Sequence, residues 1–265
     1  MTFAFDLISD LHIETWPNFN WTGQATSPVC VVAGDVSDDH VLVKQTLTHL
    51  GKCYQLVLYI DGNDEQKYGM IDGETECHED IKKLVNGIPN VVYLHDNVVV
   101  TNGVAILAAN GWWTWDFDTT IELEQLHDWF CNGRVLKCKP FVPDRILDMA
   151  KSDVIYLYNS IKKLQTHPDV KRIVIVTHTV PGVDLIEHDL SLIGTYRYNI
   201  IGNSYMRDIL TADTQNKIQH WCMGHYHSNI DQEINGVRYV NNCRGRGDSD
   251  YKKSVYYPKR IEVNF

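Results

Sequence analysis

The sequence has no apolar run that approaches the roughly 18 residues a bilayer-spanning helix needs. Its first ten residues lack a basic segment followed by a long apolar stretch, so we expect neither a secretion signal nor a membrane anchor. Seven cysteines are scattered along the chain without a Cys-x-x-Cys pair, which argues against a zinc knuckle and against a redox motif. These absences predict a cytoplasmic protein with reduced thiols and no membrane partner.

Positive charge is also scarce. Lys and Arg number 24 against 34 Asp and Glu, a formal net charge of −10, so we expect no stable nucleic-acid partner held by charge alone. Basic residues are nevertheless concentrated between positions 238 and 260. They are Arg238, Arg244, Arg246, Lys252, Lys253, Lys259 and Arg260. Such a segment can face an anionic substrate, although a solvated loop explains the charge equally well.

Short runs rich in Val, Ile and Leu predict buried strands along most of the chain. The predicted strands are 3–8, 29–33, 56–60, 91–94, 104–109, 173–176 and 218–223. Helical spacing at about 38–50, 76–85 and 151–165 alternates with them, which indicates an α/β fold with helix-covered sheets. Residues 230–240 predict a hairpin, because Asn235-Gly236 accepts the positive φ angles of a tight turn.

The segment from about 111 to 143 interrupts this pattern. It has no clean period, yet it holds four of the seven tryptophans, Trp112, Trp113, Trp115 and Trp129. Some 30 residues are too few for an independent core, so we interpret the segment as an aromatic-rich insertion or lid over the main body. Local packing is the favoured role of these aromatic side chains, ahead of a substrate platform.

Polar clusters follow five of the predicted strands. They are Asp10-Leu11-His12, Gly34-Asp35, Gly62-Asn63-Asp64-Glu65, Thr177-His178 and Gly224-His225-Tyr226-His227. Sites in open α/β sheets form at the carboxyl ends of strands, so these loops are expected to converge. In near-extended backbone an i, i+2 pair points the same way, which pairs Asp10 with His12 and His225 with His227.

Seven side chains in these clusters are candidate metal ligands. They are Asp10, His12, Asp35, Asn63, His178, His225 and His227. Imidazole, carboxylate and amide without thiolate suit Mn, Fe, Zn or Ni. Seven ligands are too many for one four-coordinate ion, whereas two ions about 3.5 to 4 Å apart can share a bridging carboxylate such as Asp35. The glycines before Asp35, Asn63 and His225 leave room for close backbone approach.

The ordered set of clusters resembles the calcineurin-like metallophosphoesterase family. The motifs of that family run Asp-x-His, Gly-Asp, Gly-Asn-His-Glu/Asp, His and Gly-His-x-His, each after a strand. The resemblance extends from Phe5 to about Arg246 and is nearest to small single-domain bacterial and phage members, of which residues 111–117 carry a loose signature. It implies a double β-sandwich flanked by α-helices, in one domain over residues 1–265.

The resemblance also implies two divalent metal ions. The first is then held by Asp10, His12, Asp35 and His227, and the second by Asp35, Asn63, His178 and His225. A hydroxide bridging the ions attacks the phosphorus of a small phosphorylated or nucleotide substrate, because bound metals lower the pKa of water. Mn is the favoured metal, with Fe, Zn, Ni and Mg as alternatives.

Asp64 departs from the family motif, because it stands where a histidine is expected. A free imidazole titrates near ~6.5, whereas an aspartate starts near ~3.9 and nearby cations lower its pKa further. Asp64 is therefore expected to be an anion, a poor general acid and repelled by phosphate. Three explanations remain open. In the first, the protein is a diesterase that uses another acid or cleaves an ester with an easily displaced leaving group. In the second, Asp64 turns outward and His188 or a lid residue supplies the proton; in the third, catalysis is attenuated or the site is engineered. Asp64, Asn63 and His188 are the candidate catalytic residues.

Arg244 and Arg246 follow the last ligands and are expected to grip a substrate phosphate through their planar guanidinium groups. We therefore interpret the chain as a metal-dependent phosphodiesterase for a nucleotide or cyclic nucleotide. A metal-binding interaction protein without turnover is the rival from another class. A phosphomonoesterase or a nuclease of the same fold are further alternatives, the nuclease being disfavoured by the net charge of −10.

Overall fold

The computed structural model describes residues 2–17, 24–72, 77–132, 138–249 and 255–265. Lys252 and Lys253 of the basic segment lie outside these residues. The described residues form eleven β-strands and five α-helices. The strands are β1 Thr2–Ile8, β2 Val29–Ala33, β3 Leu56–Ile60, β4 Val91–Tyr93, β5 Val98–Thr101, β6 Val104–Ala109, β7 Arg172–Thr177, β8 Ile218–Met223, β9 Asp231–Ile234, β10 Val237–Asn241 and β11 Lys259–Asn264. The helices are α1 His40–Cys53, α2 Asn63–Asp72, α3 Cys77–Val85, α4 Leu123–Cys131 and α5 Val142–Gln165.

The strands form two sheets that are mostly parallel. The first has the order β11-β1-β2-β3-β4, and the second has the order β5-β6-β7-β8-β10-β9. The antiparallel neighbours are β1 with β11, β5 with β6, and β9 with β10. The parallel strands lie in the middle of the second sheet and extend to the edge strand β4 in the first, so within each sheet the loops at their carboxyl ends leave from the same edge.

The two sheets pack face to face. Along β6, Val104, Ile106 and Ala108 join the core cluster that contains β1, β2 and β3, whereas the alternate residues Ala105 and Leu107 join a second cluster. This partition follows from the two-residue period of a strand, which sends successive side chains to opposite faces. The middle layer of the molecule is therefore made by the inner faces of both sheets.

Helices cover the outer faces. Helix α1 begins after Asp39, whose side chain accepts a hydrogen bond from the Val41 amide at 2.8 Å, and it packs Leu47 and Leu50 into the first core cluster. Helix α5 packs Leu157 and Ile161 into the second cluster. The α/β double sandwich flanked by helices is therefore confirmed. Among the described helices, none has both the length and the apolar character needed to cross a membrane.

Most predicted elements are confirmed, and β5, β11, α2 and α4 are additions to them. All seven predicted strands are present, and the predicted hairpin has φ angles of 53° at Asn235 and 81° at Gly236. The sequence does not predict strand β11, because charged side chains alternate with its two buried residues. It does not predict β5 either, because that strand is only four residues long. Helix α2 begins at Asn63 and has a largely polar sequence without an apolar period. Helix α5 starts at Val142 rather than at 151.

The segment from 111 to 143 is more regular than its sequence indicates, because it contains α4 and the start of α5. Trp112, Trp113, Trp115 and Phe130 are buried in a third apolar cluster, in agreement with the predicted packing role. Helix α4 has nine residues, of which only Leu126 and Phe130 are fully buried in this cluster, too few for a recognisable period. Cys131 and Cys138 are free thiols whose Sγ atoms lie 3.1 Å apart. Residues 133–137 lie outside the described residues.

Candidate metal centre

The carboxyl ends of strands from both sheets meet at one edge of the sandwich. His178, after β7, places Nδ1 2.9 Å from the carbonyl oxygen of Ala33, the last residue of β2 in the other sheet. The amide of Gly224, after β8, donates to the carbonyl of His178 at 2.9 Å. Ser9 and Cys243 form an isolated parallel bridge between the sheets. The loops after β1, β2, β3, β7 and β8 therefore surround a common space, as the sequence predicts.

The backbone around the candidate ligands is not extended, which corrects the geometry expected for the i, i+2 pairs. Asp10, His12, Asp35 and His225 have φ angles of 50°, 43°, 52° and 62°, in the left-handed region. Residues without the freedom of glycine rarely adopt this region, and it recurs at functional sites where surrounding contacts enforce it. His225 and His227 consequently separate into different ligand clusters.

The first cluster contains Asp10, His12 and His227. His227 Nε2 lies 3.2 Å from Asp10 Oδ1 and 3.1 Å from His12 Nε2. Burial opposes a charge on His12, but the carboxylates of Asp64, Glu14 and Asp35 outweigh it and raise the His12 pKa to about 10. Two rings and a carboxylate whose nitrogen and oxygen atoms face one another at these distances form a favourable donor set for a divalent cation.

The second cluster contains Asp35, His178 and His225, with the amide of Asn63 beside them. His178 Nε2 lies 3.1 Å from Asn63 Oδ1 and 3.4 Å from Asp35 Oδ1. The other carboxylate oxygen, Oδ2 of Asp35, lies 3.7 Å from His12 Nε2 in the first cluster. Asp35 therefore presents one oxygen to each cluster, and all seven candidate ligands come together around it.

Two histidines are held in a suitable tautomer by backbone carbonyls. A carbonyl oxygen only accepts hydrogen bonds, so in the neutral ring the nitrogen facing it carries the proton and the opposite nitrogen keeps its lone pair. His178 donates through Nδ1 to Ala33 at 2.9 Å, and His225 through Nε2 to Ile200 at 2.9 Å. Burial and the neighbouring His178 lower the His225 pKa to about 4, which keeps its ring neutral. The buried donors thus fit metal ions.

The glycines of the loops permit the close approach that their sequence positions predict. A Cβ on Gly62 would lie 2.6 Å from the Asp35 amide nitrogen and 2.8 Å from His178 Cε1. A Cβ on Gly224 would lie 2.6 Å from both the Ala33 carbonyl oxygen and Asp10 Oδ2. Real Cβ atoms do not tolerate such distances, so the crowding of ligands depends on the missing methyl groups.

Glu65 organises two of the ligand loops, a role that the sequence motif did not reveal. Its carboxylate accepts hydrogen bonds from the amides of Asp35 at 3.1 Å, Val36 at 2.6 Å and Gly62 at 2.8 Å. Burial, with Asp35 and Asp61 nearby, raises the Glu65 pKa to about 8. The two loops that supply Asp35 and Asn63 are therefore tied together by one buried side chain. The local signal for it is its place two residues after Asn63.

Asp64 is buried beside the ligands and does not turn outward. Its Oδ2 atom accepts a hydrogen bond from Arg246 Nη2 and lies 3.2 Å from His12 Nδ1. Burial raises the pKa of a carboxyl group, but His12 and Arg246 outweigh that effect and hold the Asp64 pKa well below its usual range. Asp64 is therefore an anion, as its sequence predicts.

The structure brings Arg246 to the site but not the other two residues predicted to act there. Arg244 is buried with its guanidinium 4.0 Å from the centre of the Trp16 ring and does not line the cavity beside the ligands. This stacking explains its position, because a guanidinium binds well to an aromatic face. His188 is exposed in a turn and also lies outside the cavity lining, whereas the adjacent Asp189 lines it.

A cavity of about 540 Å³ opens from the ligands, within the usual size range of small-molecule sites. Its lining includes five candidate ligands, His12, Asp35, Asn63, His225 and His227, and charged side chains. Apolar and aromatic side chains line it as well; they include Trp113, Phe130, Leu192, Ile200, Ile201 and Tyr226. The Trp113 ring is stacked on the His225 ring with centroids 5.8 Å apart, so the aromatic-rich segment 111–143 contributes directly to the site.

This two-sheet architecture with ligand loops at one edge is a metallophosphoesterase-like fold. No protein-family profile matches the chain, and no curated protein sequence matches it either. The similarity therefore rests on solved structures. Phosphopantetheinyl hydrolase (PptH) from Mycobacterium tuberculosis superimposes with a TM-score of 0.69 at 17% identity, covering 91% of this chain and 89% of that protein.

Two further solved structures share the fold. A protein described as a 5′-nucleotidase from Staphylococcus aureus has a TM-score of 0.51 at 14% identity; the match covers 93% of this chain but only 49% of that protein. GAP50, the anchor in the inner membrane complex of Plasmodium, has a TM-score of 0.51 at 12% identity, with 98% of this chain and 81% of that protein covered. At these identities the similarity establishes the fold alone.

Proposed function

We propose that the chain is a metal-dependent phosphoesterase that hydrolyses a small phosphodiester of the nucleotide or cyclic-nucleotide type. The observation that carries this proposal is the orientation of Asp35, whose two carboxylate oxygens face two separate imidazole clusters. A carboxylate placed in this way suits a pair of divalent cations that share it. Imidazole and oxygen donors without thiolate suit Mn, Fe, Zn or Ni, and Mn is the metal that we favour.

The ligand roles follow from the two clusters. We assign Asp10, His12, Asp35 and His227 to one ion, and Asp35, Asn63, His178 and His225 to the other. When bound, a pair of divalent cations supplies an activated water nucleophile and neutralises negative charge on phosphate. The chain's own contribution is orientation: backbone carbonyls fix the rings of His178 and His225, and Arg246 offers guanidinium donors to a phosphate oxygen.

The state of Asp64 favours a diester over a monoester. An anionic Asp64 has no proton to give to a leaving alkoxide, so the reaction depends on a leaving group that departs readily or on another acid. The cavity volume of about 540 Å³ suits a small phosphorylated molecule, and two similar structures are named phosphopantetheinyl hydrolase and 5′-nucleotidase, which supports a phosphoester substrate but not the choice between diester and monoester.

The test compares the rates at which the protein hydrolyses a diester, bis-p-nitrophenyl phosphate, and a monoester, p-nitrophenyl phosphate. The protein is first stripped of metal, and Mn²⁺ is then added back. We expect a metal-dependent rate that is higher for the diester, and its loss in Asp35→Ala. His188→Ala serves as a second comparison, because the exposed ring lies outside the cavity and its removal should leave both rates unchanged. Absence of turnover with either ester would refute the enzyme proposal, and a faster monoester rate would refute the diester preference.

A binding protein without turnover is the second candidate. It is favoured by the same residue, because Asp64 fills a position beside the ligands with an anion that cannot act as a general acid at neutral pH. One similar structure, GAP50, is named as an anchor, so the fold is not restricted to proteins named as enzymes. This candidate predicts that Mn²⁺ and phosphate bind while neither ester is hydrolysed, and that Asp64→His restores turnover.

A further inference from the structure

Asp64 lines the cavity and also contacts several of the candidate metal ligands. Its Oδ2 atom faces both Arg246 Nη2 and His12 Nδ1, the latter at 3.2 Å. Its Oδ1 atom accepts from Asn63 Nδ2 at 3.0 Å, and its backbone amide donates to Asp35 Oδ1 at 2.9 Å. One residue at the start of α2 thus contacts three candidate metal ligands and a cavity arginine.

The two edges of the His12 ring have different partners. Nε2 faces His227 Nε2 at 3.1 Å and Asp35 Oδ2 at 3.7 Å, inside the ligand cluster. Nδ1, on the other edge, faces Asp64 Oδ2 at 3.2 Å and Glu14 Oε1 at 3.6 Å, as ion-pair approaches without hydrogen-bond alignment. Negative charge beside the outer edge of a ligand histidine attracts that edge and so favours the ring orientation in which the inner nitrogen faces the cation.

Arg246 is held by the same carboxylates. Its Nη2 atom donates to Asp64, and its Nη1 atom lies 3.7 Å from Glu14 Oε1. A guanidinium has five N–H donors, so two carboxylates do not exhaust them and others can point into the cavity that Arg246 lines. A cation beside a centre for divalent metal ions is repelled by them, and an intervening anion offsets that repulsion.

We propose that Asp64 is a positioning residue that fixes the metal ligand His12 and the phosphate-binding Arg246 relative to each other. The inference rests on the proposed function, since it concerns how the same site holds a phosphate group. It assigns Asp64 no proton transfer. The carboxylate instead couples cation binding to phosphate binding, because removal of its charge would free both the outer edge of the His12 ring and the guanidinium of Arg246.

The sign of one measurement separates positioning from simple electrostatics. A carboxylate that only lined the cavity would repel phosphate, so Asp64→Asn would tighten phosphate binding. A positioning carboxylate predicts the reverse: with Mn²⁺ saturating, the Kd for inorganic phosphate should rise about tenfold in Asp64→Asn. Binding of Mn²⁺ to the stripped protein should weaken by about 10-fold to 100-fold at one of two sites, the range found for removal of groups that orient a metal ligand.

A double-mutant cycle with Arg246→Gln tests the coupling. If Asp64 acts on phosphate through Arg246, the variant that carries both Asp64→Asn and Arg246→Gln should have the same phosphate Kd as whichever single variant has the higher Kd. If Asp64 is itself a metal ligand and acts independently of Arg246, the two losses add. Additive losses, or tighter phosphate binding by Asp64→Asn, would overturn the inference. If Asp64→Asn does not fold, Asp64→Glu replaces it in the cycle, and additive losses would again overturn the inference.

The matched control is Asp231→Asn, which removes another carboxylate that pairs with an arginine. Asp231 binds Arg238 through two contacts of 2.8 and 2.9 Å on the exposed β9–β10 hairpin, outside the cavity lining. Both Kd values should stay unchanged; losses as large as those of Asp64→Asn would mean a general charge effect and overturn the inference. Isothermal titration with Mn²⁺ and inorganic phosphate needs no turnover, so failure of the proposed hydrolysis and failure of this inference remain distinguishable.

Discussion

Gly62→Ala provides a stringent test of the metal centre because it removes no ligand. The new methyl carbon would lie 2.6 Å from the Asp35 amide nitrogen and 2.8 Å from His178 Cε1, and it would also meet Asp35 Oδ1. Non-bonded atoms attract at ~3.5 Å or beyond, so the Asp35 loop or the His178 ring must retreat by roughly 0.7 Å or more. Metal coordination tolerates about 0.2 Å, so both clusters should be disrupted through their shared carboxylate.

The expected result is loss of both ions with modest loss of stability. Overpacking costs about 1–3 kcal/mol, and a chain of this size loses roughly 2–4 °C in Tm per kcal/mol, so the stripped variant should still fold. The assay combines metal analysis after gel filtration, thermal melting by circular dichroism, and ester hydrolysis. Gly87→Ala is the matched control, because no atom lies within 4 Å of its added Cβ, and it should behave as the unmodified chain. Two retained ions with normal affinity in Gly62→Ala would refute the reasoning.

Three further predictions follow from the same geometry. Asp35→Ala should lose both Mn²⁺ ions in one step, because its two oxygens face both clusters; retention of one tightly bound ion, measured by metal analysis, would contradict the shared carboxylate. The pKa values of His12 and His178 are raised to about 10, above the ~6.5 of unfolded chains, so the stabilisation that their protonation contributes is complete below pH ~6.5 and is lost as the pH rises towards 10. The Tm of stripped protein should therefore fall over that range and that of Mn²⁺-loaded protein should fall less; a flat profile for stripped protein would contradict the shifts. Gly236→Ala should lower the free energy of unfolding by about 1 kcal/mol in a denaturant titration, because φ is 81° there, whereas an unchanged midpoint would show that the hairpin tolerates the strain.

The strands and the order of the candidate ligands could be predicted because both are local properties. A buried parallel strand is a short apolar run, and the polar residues that end it are its immediate neighbours. For this reason the sequence alone assigns Asp35, His178 and His225 to strand ends. The same reasoning missed β11, whose residues alternate between buried and charged and whose pairing with β1 joins opposite ends of the chain.

The roles of individual side chains within the site were less predictable. Extended backbone was expected at Asp10 and His12, yet both adopt left-handed angles that only the surrounding loops enforce. Arg244 and Arg246 are equally plausible phosphate ligands in the sequence, but one stacks on Trp16 and the other reaches the cavity. His188 illustrates the same limit, since proximity along the chain to the cavity residue Asp189 did not bring its own side chain inside.

The sequence by itself determined the fold class, the hairpin and the set of candidate ligands, because strand periodicity, turn chemistry and ligand type are written in neighbouring residues. Tertiary structure decided which oxygen of Asp35 faces which cluster, and it joined Asp64 to Arg246 across 182 positions of the chain. No local pattern encodes such a contact, because it exists only where two sheets bring separate loops to one edge. The role that we propose for Asp64 therefore depends on these contacts and not on its neighbours in the sequence.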